Sequence, residues 1–225
     1  MRRASLKYIA RVTSQQGHNL HDLVEEILTG AFTTYNLIEY FSILYKQHFS
    51  SPILFPLAIV KALESFHVAA LIKWPNDIVI NGKKVCGILT EMSAQMDYVN
   101  YIVIGIGINV GNEEFPEEIK DVATSIYLES GKHVNRAMLI EKIWEEFEDY
   151  YELYEKTQDL SSLVKEYDSY LVNRGQKVRV LDSKEPYEGK AMGITDRGEL
   201  IVDTWEARRL VSAGEVSVRG VYGYV

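Results

Sequence analysis

A chain of 225 residues, 47% hydrophobic and 25% charged, has the composition of an ordinary globular protein, with room for one large domain or one large and one small. Its net charge of −8 disfavours a general nucleic-acid-binding surface, which needs clustered Lys and Arg, and no apolar run approaches the ~18 residues of a membrane span. A lone cysteine, Cys86, allows no internal disulfide and suits a reducing cytoplasm, and the basic N-terminus lacks the apolar stretch of a signal peptide.

Residues 19–28 carry apolar side chains at 20, 23, 24, 27 and 28, the spacing of a short amphipathic helix that Gly30 ends. Residues 40–45 read as a strand, and Pro52 and Pro56 punctuate the approach to a helix near 56–66. A strand at 69–74 leads into a hairpin, 78–80 and 85–91, turned by Asn81-Gly82. Residues 98–110 form the clearest strand of the chain. From 135 the period changes: Met138, Ile140, Ile143, Trp144, Phe147, Tyr150, Tyr151 and Tyr154 recur at helical spacing, with Asn135 as N-cap. A second helix covers 160–172. Short strands then follow at 176–181, 187–194, 199–203, 207–211 and 215–219, which reads as a small barrel of about fifty residues. The boundary falls near Gly175, giving domains 1–174 and 175–225, and the chain has no internal repeat.

Two stretches could carry chemistry. In "GIGIN" Gly105, Gly107 and Asn109 share one strand face, so two side-chain-free positions lie beside an amide that offers a donor and an acceptor together. Spacing alone fits a bare patch for a flat ligand as well as a bulge or a close neighbour. The stretch is not a dinucleotide fingerprint, because Val110 stands where a third glycine is needed. The second stretch is "KWPNDI", where Pro75 holds Lys73, Asn76 and Asp77 on stiff backbone just before the hairpin. Lys73 is a compact fixed cation able to neutralise a carboxylate or phosphate, although a local ion pair with Asp77 is the commoner role for such a lysine. His18, His21, Asp22 and Glu25 read as a solvated polar face, and Cys86 as a small core residue. No Walker loop, G-x-S-x-G, H-E-x-x-H or C-x-x-C motif is present.

Taken together, "KWPNDI" (73–78), "KVCGILTE" (84–91), "GIGINV" (105–110), "DVATSIYLESG" (121–131) and "GEVSVRG" (214–220) resemble biotin–protein ligases in order and spacing. The resemblance implies an α+β fold, a mixed sheet flanked by helices as in lipoate ligases, followed by a small SH3-like β-barrel. It implies formation of biotinyl-5′-AMP from biotin and ATP with Mg²⁺, then transfer of biotin to a lysine of a biotin carboxyl carrier domain. It also implies a cytoplasmic enzyme, with a homodimer as one expectation and no nucleic-acid or membrane partner.

The family's site residues carry over position by position. Lys73 meets the biotin carboxylate and the adenylate phosphate as the catalytic residue. Ser14, Gln15 and Gln16 of "VTSQQ" stand where the family's S-T-N or S-T-Q element binds biotin, with Gln15 in place of threonine. Ile78 and Gly87 join the biotin side. Gly105, Gly107 and Asn109 take the nucleotide, bordered by Ala123 and Ser125, and no protein metal ligands are implied.

The chain departs from the pattern in one respect. The family's arginine- and glycine-rich loop would fall between Ser14 and Ser42, where there is no arginine and only two glycines. Too few residues precede Ser14 for a DNA-binding domain, so a repressor role is not expected. Two other readings stand beside the ligase: a relative that binds biotin or adenylate without turnover, and a lipoate or octanoate transferase of the same fold.

Overall fold

The computed structural model describes residues 38–43, 53–95, 98–181, 186–213 and 217–220. The helix expected at 19–28 lies outside these residues. Helix α1 (Leu54–Ser65) buries nine of its twelve residues and is therefore apolar on nearly all sides, a central rather than a surface helix. Around it the chain builds a five-stranded sheet from β1 (Ile38–Ile43), β2 (Leu71–Lys73), β3 (Asp77–Ile80), β4 (Lys83–Gln95) and β5 (Tyr98–Ile108), in the order β1-β5-β4-β3-β2.

Every pairing between these named strands is antiparallel, where a mixed sheet was expected. The reason is the brevity of the connections. β2, β3 and β4 follow one another through turns of two or three residues, only two residues separate β4 from β5 in sequence, and only antiparallel neighbours can be joined so closely. The β3–β4 turn is Asn81-Gly82, with φ of 50° and 78°, both in the left-handed region that a two-residue hairpin turn demands. Among the described residues, parallel contact is confined to two isolated bridges, Ile72 with Leu171 and Lys84 with Ala123.

One sheet face, carrying Ile72, Ile78, Cys86, Ile88, Ile104 and Ile106, is buried in the core with α1. Helix α3 (Arg136–Thr157) closes over α1. Its Leu139, Ile143, Phe147, Tyr150 and Tyr154 are buried at helical spacing, and Phe147 stacks on Phe55 with ring centroids 4.1 Å apart. Asn135 caps α3 by accepting from the Met138 amide at 3.1 Å, as its position before the apolar stripe predicts. A five-residue helix, α2 (Ile126–Ser130), was not anticipated, and α4 (Val164–Tyr170) is shorter than the stretch 160–172.

The remaining strands, β6 (Lys177–Leu181), β7 (Tyr187–Ile194), β8 (Leu200–Asp203), β9 (Arg208–Val211) and β10 (Ser217–Gly220), form a second antiparallel sheet in the order β10-β6-β7-β8-β9. These strands fall within two residues of their expected ends. Among the described residues no β9–β10 pair closes the ring, and the five strands form one antiparallel sheet. Its inner residues, among them Val178, Val180, Leu200 and Val202, belong to the same continuous core as the first sheet.

The two sheets are also stitched together by the connecting segment. The Val172 amide donates to the Ile72 carbonyl at 2.9 Å, and the Trp74 amide donates to Asn173 Oδ1 at 2.9 Å. Trp74 Nε1 donates to the Gly198 carbonyl at 3.0 Å.

Candidate functional site

Lys73 ends β2 in register with Asp77, which pairs with Gly87, which in turn pairs with Gly107. Directly opposed residues of antiparallel strands project from the same face. Lys73, Asp77, Gly87 and Gly107 therefore form one row across four strands, on the face opposite Ile72 and Ile78. Two charged residues end in two glycines. Among the described residues, a Cβ on Gly107 would meet nothing nearer than the Gly87 carbonyl oxygen at 3.9 Å, so none of them fills the space above this part of the sheet. Gly105 extends the bare patch and lies opposite Leu89, whose side chain is 54% exposed.

The charged end is tightly held. Trp74, in the cis Trp74–Pro75 unit, is fully buried, and its two hydrogen bonds fix the strand end on the core side. Asn76 clamps the next residues to β4: its amide donates to the Ile88 carbonyl at 2.5 Å, and its own carbonyl accepts from the Ile88 amide at 2.9 Å.

Lys73 is 7% exposed, with Nζ 3.7 Å from Asp77 Oδ2. A second lysine, Lys84, reaches the other oxygen of the same carboxylate at 2.5 Å. Burial holds the Lys73 pKa below the ordinary lysine value; Asp77 opposes that shift, and the nearby charges of Lys84 and Arg219, on β10, reinforce it. The ion pair foreseen between Lys73 and Asp77 is present, but Asp77 serves two lysines.

At the other end Asn109 follows β5. Its backbone amide donates to Val85 O at 2.8 Å, and its carbonyl accepts from Ile126 N at 2.9 Å. One hydrogen of Asn109 Nδ2 is committed to the Thr124 carbonyl at 3.0 Å, which fixes the orientation of the amide, and among the described residues none bonds its oxygen or second hydrogen. The segment 122–124 is bonded on both sides of Lys84: Lys84 N donates to Val122 O at 2.7 Å, and Thr124 N donates to Lys84 O at 2.8 Å.

Not every expected residue faces the site. Ser125 is fully buried; its hydroxyl donates to Asn112 O at 2.6 Å and accepts from Leu128 N at 3.1 Å, so it caps α2 and supports the segment from behind. Ala123 is half-buried beside Lys84. Ile78 corrects an expectation: its side chain is fully buried in the core, in register with Ile72 and Cys86, on the face away from the glycines. Strand alternation forbids Asp77 and Ile78 from sharing a face. Ser14, Gln15 and Gln16 lie outside the described residues. Cys86 is the core residue its apolar surroundings suggested, and burial pushes its thiol pKa well up, away from reactivity.

Lys84 and Arg219 were missed by sequence reasoning. Lys84 sits in "NGKKV", where turn lysines are normally solvated, whereas Arg219 lies within a stretch whose pattern already stood out. Among the described residues no group of three His, Cys, Asp or Glu comes together for a metal ion, and no helix is long and apolar enough to cross a membrane.

Comparison with known proteins agrees with this geometry. Residues 14–109 match the model of the biotin/lipoate A/B protein ligase family, and residues 175–219 match that of the biotin protein ligase C-terminal domain. The chain is 39% identical over 174 residues to a protein named bifunctional ligase/repressor BirA in Bacillus spizizenii, covering 75% of this chain and 53% of that one. It is 30% identical over 146 residues to the biotin–[acetyl-CoA-carboxylase] ligase of Mycobacterium tuberculosis, covering 64% of this chain and 52% of that one. The chain thus spans about half the length of the curated relatives it matches. A solved structure of biotin protein ligase from Aquifex aeolicus, in complex with biotin and ATP, superposes with a TM-score of 0.71 at 30% identity, covering 81% of this chain and 78% of that one. The motifs, the fold and these matches agree, and the chain belongs to the biotin protein ligase family.

Proposed function

We propose that this chain is an ATP-dependent biotin–protein ligase. The row Lys73–Asp77–Gly87–Gly107, with Asn109 just beyond its bare end, is the observation that supports the reading best. An acid and a nucleotide can lie flat across the glycines, adenine toward Asn109, with the reacting junction at the lysine end. Two anions must meet there, and a fixed ammonium lowers the cost of bringing them together.

In the first step a biotin carboxylate oxygen attacks the α-phosphorus of MgATP. The bond from that phosphorus to its bridging oxygen breaks, and pyrophosphate leaves with the electron pair. Lys73 holds the carboxylate and the α-phosphate oxygens and exchanges no proton. Magnesium enters on the nucleotide as part of the substrate.

In the second step the neutral amine of a carrier-domain lysine attacks the acyl carbon, AMP departs, and the nitrogen sheds its extra proton. Positioning and electrostatics supply most of the rate, because neither step requires a covalent bond to the protein. The domain boundary in this reading stays near Gly175, and the charge of Arg219, on the C-terminal sheet, adds to the positive field at Lys73.

The test is biotin-dependent exchange of pyrophosphate into ATP, with lipoate as the competing acid. Exchange with biotin alone supports the ligase; exchange with lipoate in place of biotin supports a lipoate-adenylating enzyme of the same fold, and a transferase that uses no ATP would show no exchange with either acid. The absence of any arginine from residues 15–42 motivates a second reading, a binder without turnover. Biotin binding by calorimetry without exchange would favour it.

A further inference from the structure

We propose that Lys84 is a second anion-binding residue of the site, resting on Asp77 over the glycine patch until the α-phosphate of ATP takes that carboxylate's place. This extends the ligase reading and rests on it.

Three observations carry the inference. First, Lys84 lies across the ligand face. A Cβ built on Gly87 would come within 2.8 Å of both Cε and Nζ of Lys84, so the end of this side chain lies directly over the second residue of the bare row. Lys84 is 41% exposed, free to leave that position without disturbing the core.

Second, it adds positive charge in direct contact with a pair that is neutral by itself. Asp77 contributes one negative charge and is contacted by Lys73 at 3.7 Å and by Lys84 at 2.5 Å. Lys73 with Asp77 alone is a neutral pair, a poor receptor for a carboxylate and a phosphate together. Lys84 and Arg219 together turn that pair net positive, the condition such a meeting requires, and Lys84 contacts Asp77 directly. The stretch 15–42 supplies no arginine to do the same.

Third, the backbone of Lys84 is anchored at the nucleotide end. It is bonded on both sides to the segment 122–124, whose Thr124 carbonyl also orients Asn109. One residue therefore spans the distance between the base and the reacting phosphate, its main chain set by one and its ammonium offered to the other. A lysine suits this duty: a compact charge on a flexible stem can exchange one oxygen partner for another.

The experiment compares Lys84→Gln and Lys84→Arg with the unmodified chain, with Lys83→Gln as a control for loss of a neighbouring turn lysine. Pyrophosphate binding is measured by calorimetry at two salt concentrations, and the exchange assay separates KM for ATP from kcat. Loss of a charge-assisted contact in Lys84→Gln should weaken pyrophosphate binding and raise KM for ATP about tenfold or more, with a shallower salt dependence, and Lys84→Arg should recover most of it. The pH profile of Lys73 acylation, read by mass spectrometry, should also move to higher pH in Lys84→Gln, because one repelling charge is gone. An ion pair with Asp77 alone would move that profile too, so the anion site itself is judged by pyrophosphate affinity and KM for ATP.

Unchanged pyrophosphate affinity in Lys84→Gln, whatever the Lys73 profile, would overturn the proposal, as would an unmodified chain that binds no pyrophosphate. If the unmodified chain binds pyrophosphate through Lys84 but shows no biotin-dependent exchange, the anion site stands and the ligase reading falls. If exchange is normal in both chains, the ligase stands and Lys84 is dismissed.

Discussion

Replacing Lys73 by methionine separates the cation from the shape it fills. The side chain is 7% exposed, so the variant must keep the volume, and methionine nearly does. Deleting one partner of a buried ion pair ordinarily costs about 3–5 kcal/mol, because the other charge is left uncompensated. That penalty should not arise here: Asp77 keeps Lys84 at 2.5 Å, and the desolvation that lowers the Lys73 pKa is relieved. The net change should stay within about 1 kcal/mol, or about 2–4 °C in Tm for a chain of this size. Catalysis should respond very differently, since removing one fixed charge from a developing phosphate junction costs on the order of 10²- to 10³-fold in rate. Biotin-dependent pyrophosphate exchange read beside a thermal melt makes the comparison. A folded Lys73→Met chain with exchange within about threefold of normal would refute the assignment of Lys73 to the reacting junction.

Other outcomes follow from the same geometry. Gly107→Val places a branched side chain in open space, so the melt should move little while ATP binding by calorimetry drops about tenfold or more; unchanged binding would remove the glycine patch from the ligand site. Trp74→Phe removes the donor to Gly198 O in a fully buried setting and should cost about 1–3 kcal/mol in a denaturant titration. Phe147→Ala, losing the stack on Phe55, should cost about 3–5 kcal/mol by the same measurement.

Exchange should fall on the alkaline side at a pH below the ordinary lysine range, because burial lowers the Lys73 pKa and only the ammonium binds anions. The linked stability change runs the other way. The unfolded chain holds this proton more tightly, so the fold gains stability as pH rises from the lowered value to the ordinary one. A Lys73→Arg variant should lose that alkaline limb.

Much of the fold is legible from periodicity and punctuation. Asn81-Gly82 marks its hairpin, Asn135 its helix start, and the aromatic stripe of α3 its buried face, because each depends on neighbours a few residues away. The antiparallel character of the first sheet could also have been deduced from the short turns between its strands. Helix α2 was hidden for the opposite reason. Five residues show no period, and although its cap from Ser125 to Leu128 is local, Ser125 is itself held by Asn112, thirteen positions away in sequence. The site divides in the same manner. Lys73, the glycines and Asn109 are visible in local motifs, but the face each residue occupies depends on register. Alternation within β3 already separates Ile78 from Asp77, whereas Lys84 pairs beside the register shift between β3 and β4, and no spacing in a single strand could have shown it over Gly87.

The hydrogen bonds from the connecting segment to β2 have a further consequence. β2 is the last strand of its sheet, and a bare outer strand invites pairing with foreign chains. Val172 and Asn173 cover that edge, so the polypeptide leading into the second sheet also shields the first from aggregation. Cutting the chain between the two sheets would therefore not yield two tidy modules. The N-terminal piece would be left with an uncovered, adhesive margin at the strand that bears Lys73, and should be recovered in soluble form only when its C-terminal complement is supplied with it.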